Sequence, residues 1–182
     1  PIDIVPMVAV RGDARREYLF RADGSKVATS VSEHVKFVKH RTRQSAKKPG
    51  AVAFNDMVRL FKWWAQLRAV DDELLGELPT FVLELLCAKA FDLHGVTKSY
   101  TQTLEVWFGA IAEIVATRGE VRFDGVRGPD RGGRWVILDP VNANNNVVPR
   151  RWTDAHIDHL GMWFVEAEAT TRRVQDCDHN DD

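Results

Sequence analysis

Three side chains with complementary chemistry occur on two neighbouring segments in the middle of the chain. Lys62 lies in the run Val-Arg-Leu-Phe-Lys-Trp-Trp at 58–64, and Thr80 and Phe81 come directly after a proline. An ammonium group, a hydroxyl and the free N–H groups of a helix N-terminus bind phosphates, and an aromatic ring stacks on a base. These residue types predict a nucleotide pocket, with Arg59 as a candidate second cation.

Two predicted helices position these groups. Between Phe54 and Val70, apolar residues recur at steps of three and four, which is typical of an amphipathic helix. The next helix begins at Pro79, where the missing N–H is not needed, and ends at His94-Gly95, a typical C-terminal cap. We expect the lysine, the hydroxyl and the ring to face a common cleft between the two helices.

The rest of the chain predicts an α+β fold, a helix-dominated lobe of about five helices with a few antiparallel strands at the start and before the last helix. The predicted strands are Ile2–Val10, Glu17–Arg21, Lys26–Ala28, Val121–Phe123 and Trp135–Leu138, and the further helices run from Ser30 or Ser32 to Arg43, from Tyr100 to Arg118 and from Thr153 to Val174. We divide the chain into a β segment at 1–29, a helical lobe at 30–175 and an acidic tail at 176–182.

Composition narrows the class of protein. The chain has 182 residues, of which 45% are hydrophobic and 28% charged, so it should bury a core. Its net charge of −1 argues against a generally cationic nucleic-acid binder. Cations nevertheless crowd one segment that contains Lys36, Lys39, Lys47 and Lys48. This segment is either a solvated helix face with a flexible loop or a contact surface for RNA.

Cysteine use and hydropathy predict the compartment. Cys87 lies in an apolar helical pattern and Cys177 in a polar one, so we expect no disulfide between them. No apolar run approaches the roughly 20 residues that a membrane-spanning helix needs. We therefore expect a cytoplasmic protein without a membrane partner.

Three motifs resemble, in this order, the C-terminal half of a known group of nucleotidyltransferases. They are the run at 58–64, the run Pro-Thr-Phe-Val-Leu-Glu-Leu-Leu at 79–86, and a strand that ends in Asp139 before an Asn-rich turn at 142–146. The group includes the 2′-5′-oligoadenylate synthetases, cyclic-GMP-AMP synthase and the bacterial cyclic-oligonucleotide synthases of antiviral defence. The resemblance covers most of residues 1–175.

The resemblance implies a role for each candidate residue. The segment Ile-Asp-Ile-Val-Pro at 2–6 has the form of the family's strand that carries the third metal-binding carboxylate, so Asp3 would be catalytic and would hold Mg²⁺. Lys62 would bind the phosphates of a donor NTP, with Arg59 beside it, and Thr80 would bond the triphosphate. Phe81 would stack the base at a position where the family usually has tyrosine. The alternative is that Phe81 packs in the core with Leu83 and Leu85 nearby.

One departure from the family limits the prediction. The family's Gly-Ser segment and Asp-x-Asp or Glu-x-Asp pair come before the position of Asp3, and this chain has no residues there that match. Gly24 and Ser25 follow Asp3 and are better explained as a turn. The resemblance therefore implies the C-terminal part of a template-independent nucleotidyltransferase, inactive alone, whose N-terminal catalytic half is in the same or another chain. The alternatives are a non-catalytic nucleotide- or RNA-binding helical module, and an RNA-tail-adding enzyme of the same superfamily.

Several other polar and aromatic residues have a structural explanation that we favour. Glu84 should pair with a buried cation or a backbone group, since a lone buried carboxylate is costly, and Asp139 should brace a turn near the nucleotide pocket. His156 and His159 lie one helical turn apart without a third metal ligand, so we expect solvated residues. The remaining aromatic and apolar candidates are expected to pack in the core: Trp63, Trp64, Met162, Trp163 and Val165.

Overall fold

The computed structural model describes residues 7–10, 13–20, 24, 26–72, 77–126 and 135–178. Within these ranges the chain forms one antiparallel sheet of three strands and five helices, which confirms the predicted helix-dominated α+β class. The elements are β1 Met7–Val10, β2 Asp13–Phe20, β3 Lys26–Thr29, α1 Val31–Ser45, α2 Phe54–Arg68, α3 Thr80–His94, α4 Tyr100–Ala116 and α5 Asp154–Asp178.

The sheet has the strand order β1-β2-β3 and is tied to the first helix. Met7 lies opposite Leu19, and Tyr18 lies opposite Ala28, so each consecutive pair is an antiparallel hairpin. The Glu17 carboxylate accepts a hydrogen bond from the backbone N–H of Val31 at 3.1 Å. A carboxylate at this end of α1 also interacts favourably with the helix dipole.

The helix ends follow the capping residues of the sequence. Ser30 Oγ accepts a hydrogen bond from the N–H of Glu33, and Ser99 Oγ accepts one from the N–H of Gln102. Gly95 ends α3 with a φ of 68°, a left-handed conformation that glycine adopts without strain. These findings confirm Ser30 and Gly95 as the predicted caps.

Aromatic side chains from α2, α4 and α5 form the centre of the core. The rings of Phe61 and Phe108 lie 4.4 Å apart, and the ring of Trp64 lies 5.2 Å from that of Phe164. The helices α4 and α5 approach closely at Gly161, where an added Cβ would lie 3.2 Å from Val115 Cγ1. This core fixes the helices around which the candidate site is built.

The backbone between α4 and α5 differs from the prediction. The expected strands Val121–Phe123 and Trp135–Leu138 form isolated bridges only, between Val121 and Ile137 and between Leu138 and Asn146. The side chain of Asn146 accepts a hydrogen bond from the N–H of Ile137 and donates one to the carbonyl of Trp135. Side-chain bonds thus occupy backbone groups that a sheet ladder would have used.

Three residues expected in the core are exposed. Trp63 is 60% exposed, and on α5 Met162 and Val165 are 69% and 54% exposed. Consecutive helical residues are about 100° apart, so Trp63 cannot share the inward direction of Trp64. The last helix also runs to Asp178, past the tail boundary predicted at residue 176.

The cysteines agree with a further expectation. Cys87 is a free, buried thiol and Cys177 is a free, exposed one. Burial, together with the nearby charge of Glu84, raises the pKa of the Cys87 thiol well above its usual 9.0. None of the helices in the described ranges is long and apolar enough to cross a bilayer.

Candidate functional site

A cavity of about 580 Å³ lies between α1, α2 and α3, and its wall is largely hydrophobic. We call it the apolar cavity. Its apolar lining comes from all three helices: Val31, Val35, Phe37, Val38, Phe54, Val58, Phe81, Leu85 and Ala88. Its polar lining residues are His34, Lys39, Thr42, Asn55, Lys62 and Glu84. A concave apolar wall with a few polar groups is the usual composition of a small-molecule site.

One ion pair lies in this wall. Lys62 of α2 donates a hydrogen bond to the carboxylate of Glu84 on α3, and their side chains are 33% and 28% exposed. The contact confirms that Glu84 pairs with a cation. An ammonium group has three N–H donors, so Lys62 can hold Glu84 and still donate to a second acceptor in the cavity.

The aromatic part of the wall is a contact between Phe81 and His34. Phe81 is in the first turn of α3, and its ring centroid lies 5.1 Å from that of His34 on α1, with the two ring planes at 83°. This edge-to-face geometry is a favoured arrangement of aromatic rings. Phe81 is partly buried and lines the apolar cavity.

Asp139 holds the His34 ring in place. Its carboxylate, which is only 2% exposed, accepts a hydrogen bond from His34 Nε2 at 2.8 Å. The same oxygen accepts bonds from the backbone N–H groups of Val141 and Asn142, which form a turn around it. The Asn142 amide in turn donates to the carbonyl of Ala28 in β3, so the turn connects α1 with the sheet.

These hydrogen bonds keep Asp139 ionised. Burial alone raises the pKa of its carboxyl, but the bonds from His34, the Val141 N–H and Asn145 outweigh burial and hold the pKa below the ordinary 3.8. An ionised carboxylate is only an acceptor. His34 Nε2 therefore carries the hydrogen of their shared bond.

The structure brings together two of the residues that the sequence predicted for the site. Lys62 and Phe81 line the apolar cavity, whereas Thr80 is exposed and does not line it. Thr80 precedes Phe81 by one helical position and therefore points in a different direction. Arg59 is also outside the cavity lining and lies 3.6 Å from Asp56. Nucleotide binding by any of these side chains stays a prediction.

Sequence reasoning did not single out His34. Its signal lies in the spacing of α1, where His34 precedes Phe37 by three positions and Val38 by four. It is therefore a polar residue on the apolar face of an amphipathic helix. Such a residue needs a buried partner, which the sequence alone could not identify as Asp139.

A second cavity, of about 860 Å³, is lined by residues from the end of α1, the loop after it and the end of α3. We call it the basic cavity. Four of its lining residues are Lys47, Lys48, His40 and His94. Lys36 instead pairs with Glu33, and Lys39 lines the apolar cavity. The basic segment of the sequence is thus divided between different surfaces.

The described residues do not provide a ligand set for Mg²⁺. Within the described ranges, no group of three or more His, Cys, Asp or Glu side chains is arranged to hold a metal. His156 bonds Thr153 and His159 bonds Asp72. Asp3, the predicted metal ligand and catalytic residue, lies outside the described residues, and its role stays a prediction.

Comparisons with known proteins give one consistent group of relatives. No protein-family model matches the chain. It is 30% identical over 164 residues to the cyclic AMP-AMP-AMP synthase of Escherichia coli strain MS 115-1, across 87% of this chain and 49% of the synthase. It is 29% identical over 150 residues to a CBASS oligonucleotide cyclase, CdnC, of Escherichia coli strain KTE188, across 82% of this chain and 44% of the cyclase.

A solved structure is similar along almost the whole chain. The structure of E. coli MS115-1 CdnC with ATP superimposes with a TM-score of 0.75 at 27% sequence identity, over 93% of this chain and 52% of that one. The chain thus spans about half the length of the relatives that it matches.

Proposed function

Because this chain belongs to the nucleotidyltransferase superfamily of the CBASS oligonucleotide cyclases, we propose that it is the donor-nucleotide-binding part of such an enzyme. The enzyme would make oligo- or cyclic-nucleotide products in antiviral defence signalling, in the cytoplasm. The structure neighbour was solved with ATP, and we propose ATP as the donor for this chain.

The observation that carries the proposal is the meeting of Lys62 and Phe81 in the apolar cavity. A base needs an apolar, partly aromatic wall, and a triphosphate needs a cation at the edge of that wall. We propose that the base stacks on Phe81 and that Lys62 donates to a phosphate oxygen while Glu84 keeps the ammonium in position.

The reaction proposed for the complete enzyme is nucleotidyl transfer. A ribose hydroxyl would attack the α-phosphorus, the bond to the β-phosphate oxygen would break, pyrophosphate would leave, and the hydroxyl proton would pass to a base or to solvent. Such a reaction depends mainly on positioning and on neutralising charge, and Mg²⁺ bound by carboxylates supplies the neutralisation when present. In this proposal the described residues bind and orient the donor.

The direct test compares Lys62→Ala with His156→Ala in ATP binding by calorimetry. Lys62→Ala removes a hydrogen bond between a cation and a phosphate, so the affinity should fall about 10- to 100-fold. His156 lies on α5 and bonds Thr153, far along the chain from the cavity lining, so its replacement should leave the affinity unchanged.

A conservative variant of Lys62 tests whether its positive charge, and not only its packing, supports ATP binding. Lys62→Arg keeps a cation that can still reach Glu84 and should retain more affinity than Lys62→Ala. If Lys62→Ala and His156→Ala affect ATP binding equally, the assignment of the pocket is wrong. Circular dichroism of each variant verifies that the helices are intact.

The basic cavity supports a second candidate function, RNA binding. Lys47 and Lys48 line it and form no ion pair with another residue in the described ranges, so both ammonium groups are available to phosphates. This arrangement would suit the RNA track of a tail-adding enzyme or of a binding module. RNA affinity should then fall steeply with salt concentration.

A further inference from the structure

The polar groups of the apolar cavity differ in what they leave available to a ligand. The Lys62 and Glu84 side chains bond each other, and the Thr42 hydroxyl donates to the carbonyl of Val38. His34 offers an acceptor, because only one of its two ring nitrogens is used. Nε2 bonds Asp139, and Nδ1 has no hydrogen-bond partner among the described residues.

Asp139 determines which nitrogen carries the hydrogen. Its ionised carboxylate can only accept, so the shared hydrogen is on Nε2, and in the neutral imidazole Nδ1 then has a lone pair. The Asp139 carboxylate is almost fully buried and is held by backbone N–H groups, which fixes the orientation of the ring as well as its tautomer.

We propose that His34 is a base-specificity residue, whose Nδ1 accepts a hydrogen bond from the exocyclic amino group of an adenine base stacked on Phe81. The ring centroids of His34 and Phe81 are 5.1 Å apart and both residues line the apolar cavity, so a base on Phe81 lies beside the imidazole. A fixed acceptor favours a 6-amino purine and disfavours a 6-oxo purine, which presents another acceptor at that position.

This inference rests on the proposed function, because it needs a nucleotide in the apolar cavity. The experiment titrates the chain by calorimetry with ATP, with purine riboside 5′-triphosphate, which lacks the 6-amino group, and with inosine 5′-triphosphate, which carries a 6-oxo group. The wild-type chain should bind ATP about fivefold more tightly than purine riboside triphosphate, the usual gain from one net hydrogen bond. Inosine triphosphate should bind more weakly still.

Two substitutions of His34 test the roles of its two ring nitrogens separately. His34→Gln can still donate to Asp139 from an amide at the position of Nε2 but has no acceptor at Nδ1, so it should bind ATP and purine riboside triphosphate equally. His34→Asn places an amide oxygen near Nδ1 and should retain part of the preference. The control is His156→Ala, which removes a polar side chain that bonds Thr153 outside the apolar cavity and should leave the preference unchanged.

A spectroscopic measurement on the wild-type chain makes the test independent of how the variants fold. In nitrogen-15 NMR, the Nδ1 resonance of His34 should shift when ATP is added and should not shift with purine riboside triphosphate.

The outcomes distinguish a failure of nucleotide binding from a failure of the role proposed for His34. If none of the triphosphates binds the chain, the proposed function is wrong and this inference fails with it. If they bind with equal affinity, if the ATP preference survives in His34→Gln, or if the Nδ1 resonance does not respond to ATP, the role of His34 is wrong and nucleotide binding stands.

Discussion

The apolar cavity and the basic cavity lie along the same helix, α1, yet they differ in how their walls are built. Several residues of the apolar cavity are also part of the hydrophobic core, including Phe54, Val58 and Leu85. The basic cavity is larger, and its lining includes four exposed basic side chains: Lys47, Lys48, His40 and His94. The larger cavity is therefore not the one whose lining better suits a small planar ligand.

The comparison shows what each wall can recognise. A wall shared with the core is held in place by packing, which suits a planar base and a few directed hydrogen bonds. Flexible lysines in solvent suit a phosphate backbone, whose binding needs charge more than shape. The helical period of α1 serves both purposes, since His34 and Val38 line one cavity while His40 and Gln44 line the other.

The largest expected effect is on the free energy of unfolding, and it comes from residues of the apolar cavity that also belong to the hydrophobic core. Leu85 is 1% exposed, so Leu85→Ala should lower the free energy of unfolding by about 3 kcal/mol through lost burial and a new void. Val35, at 43% exposure, is a matched lining residue, and Val35→Ala should cost less than about 0.5 kcal/mol. Denaturant unfolding measures both. Equal costs would mean that the cavity wall is not part of the core.

A smaller effect on the free energy of unfolding is expected when Asp139 is replaced, and this effect should depend on pH. Asp139→Asn replaces an acceptor of several hydrogen bonds and should cost about 2 kcal/mol near pH 7. The pKa of Asp139 is lowered in the folded chain, so this stability is present above the ordinary carboxyl pKa of 3.8 and is lost as the pH falls through the folded value.

The measurement is the difference in unfolding free energy between the wild type and Asp139→Asn, from pH 7 downward. The difference should narrow only when the pH falls below about 4, where the wild-type carboxyl is protonated as well. Asp158→Asn is a control because the Asp158 side chain is 68% exposed, and its cost should stay near zero. A gap that does not narrow below about pH 4 would contradict the assignment.

The smallest expected effect on ATP concerns the basic cavity. The double variant Lys47→Glu and Lys48→Glu should change ATP affinity by less than about twofold at physiological salt, where exposed charges are screened over about 8 Å. The same variant should reduce the salt dependence of single-stranded RNA binding if the cavity contacts RNA. A large loss of ATP affinity in this variant would indicate that the two cavities belong to one ATP-binding site.

The sequence predicted the local features of the site better than its long-range contacts. Lys62 and Phe81 line one cavity because helical spacing and the proline before α3 fixed their positions. Ser30 and Gly95 were predictable as helix caps from their residue types. Thr80 was misplaced because adjacent helical residues diverge. The pairing of His34 with Asp139 was not predictable, since it depends on how distant segments pack and not on any local pattern.

The bond between His34 and Asp139 also has a consequence for biosynthesis. The two residues are 105 positions apart. During translation the imidazole cannot meet its carboxylate until Asp139 has left the ribosome, and closing so long a loop is slow compared with forming the helices themselves. Lys62 and Phe81 emerge before Asp139 does, so the histidine is oriented late and the proposed base selectivity would be acquired after the other two groups are synthesised.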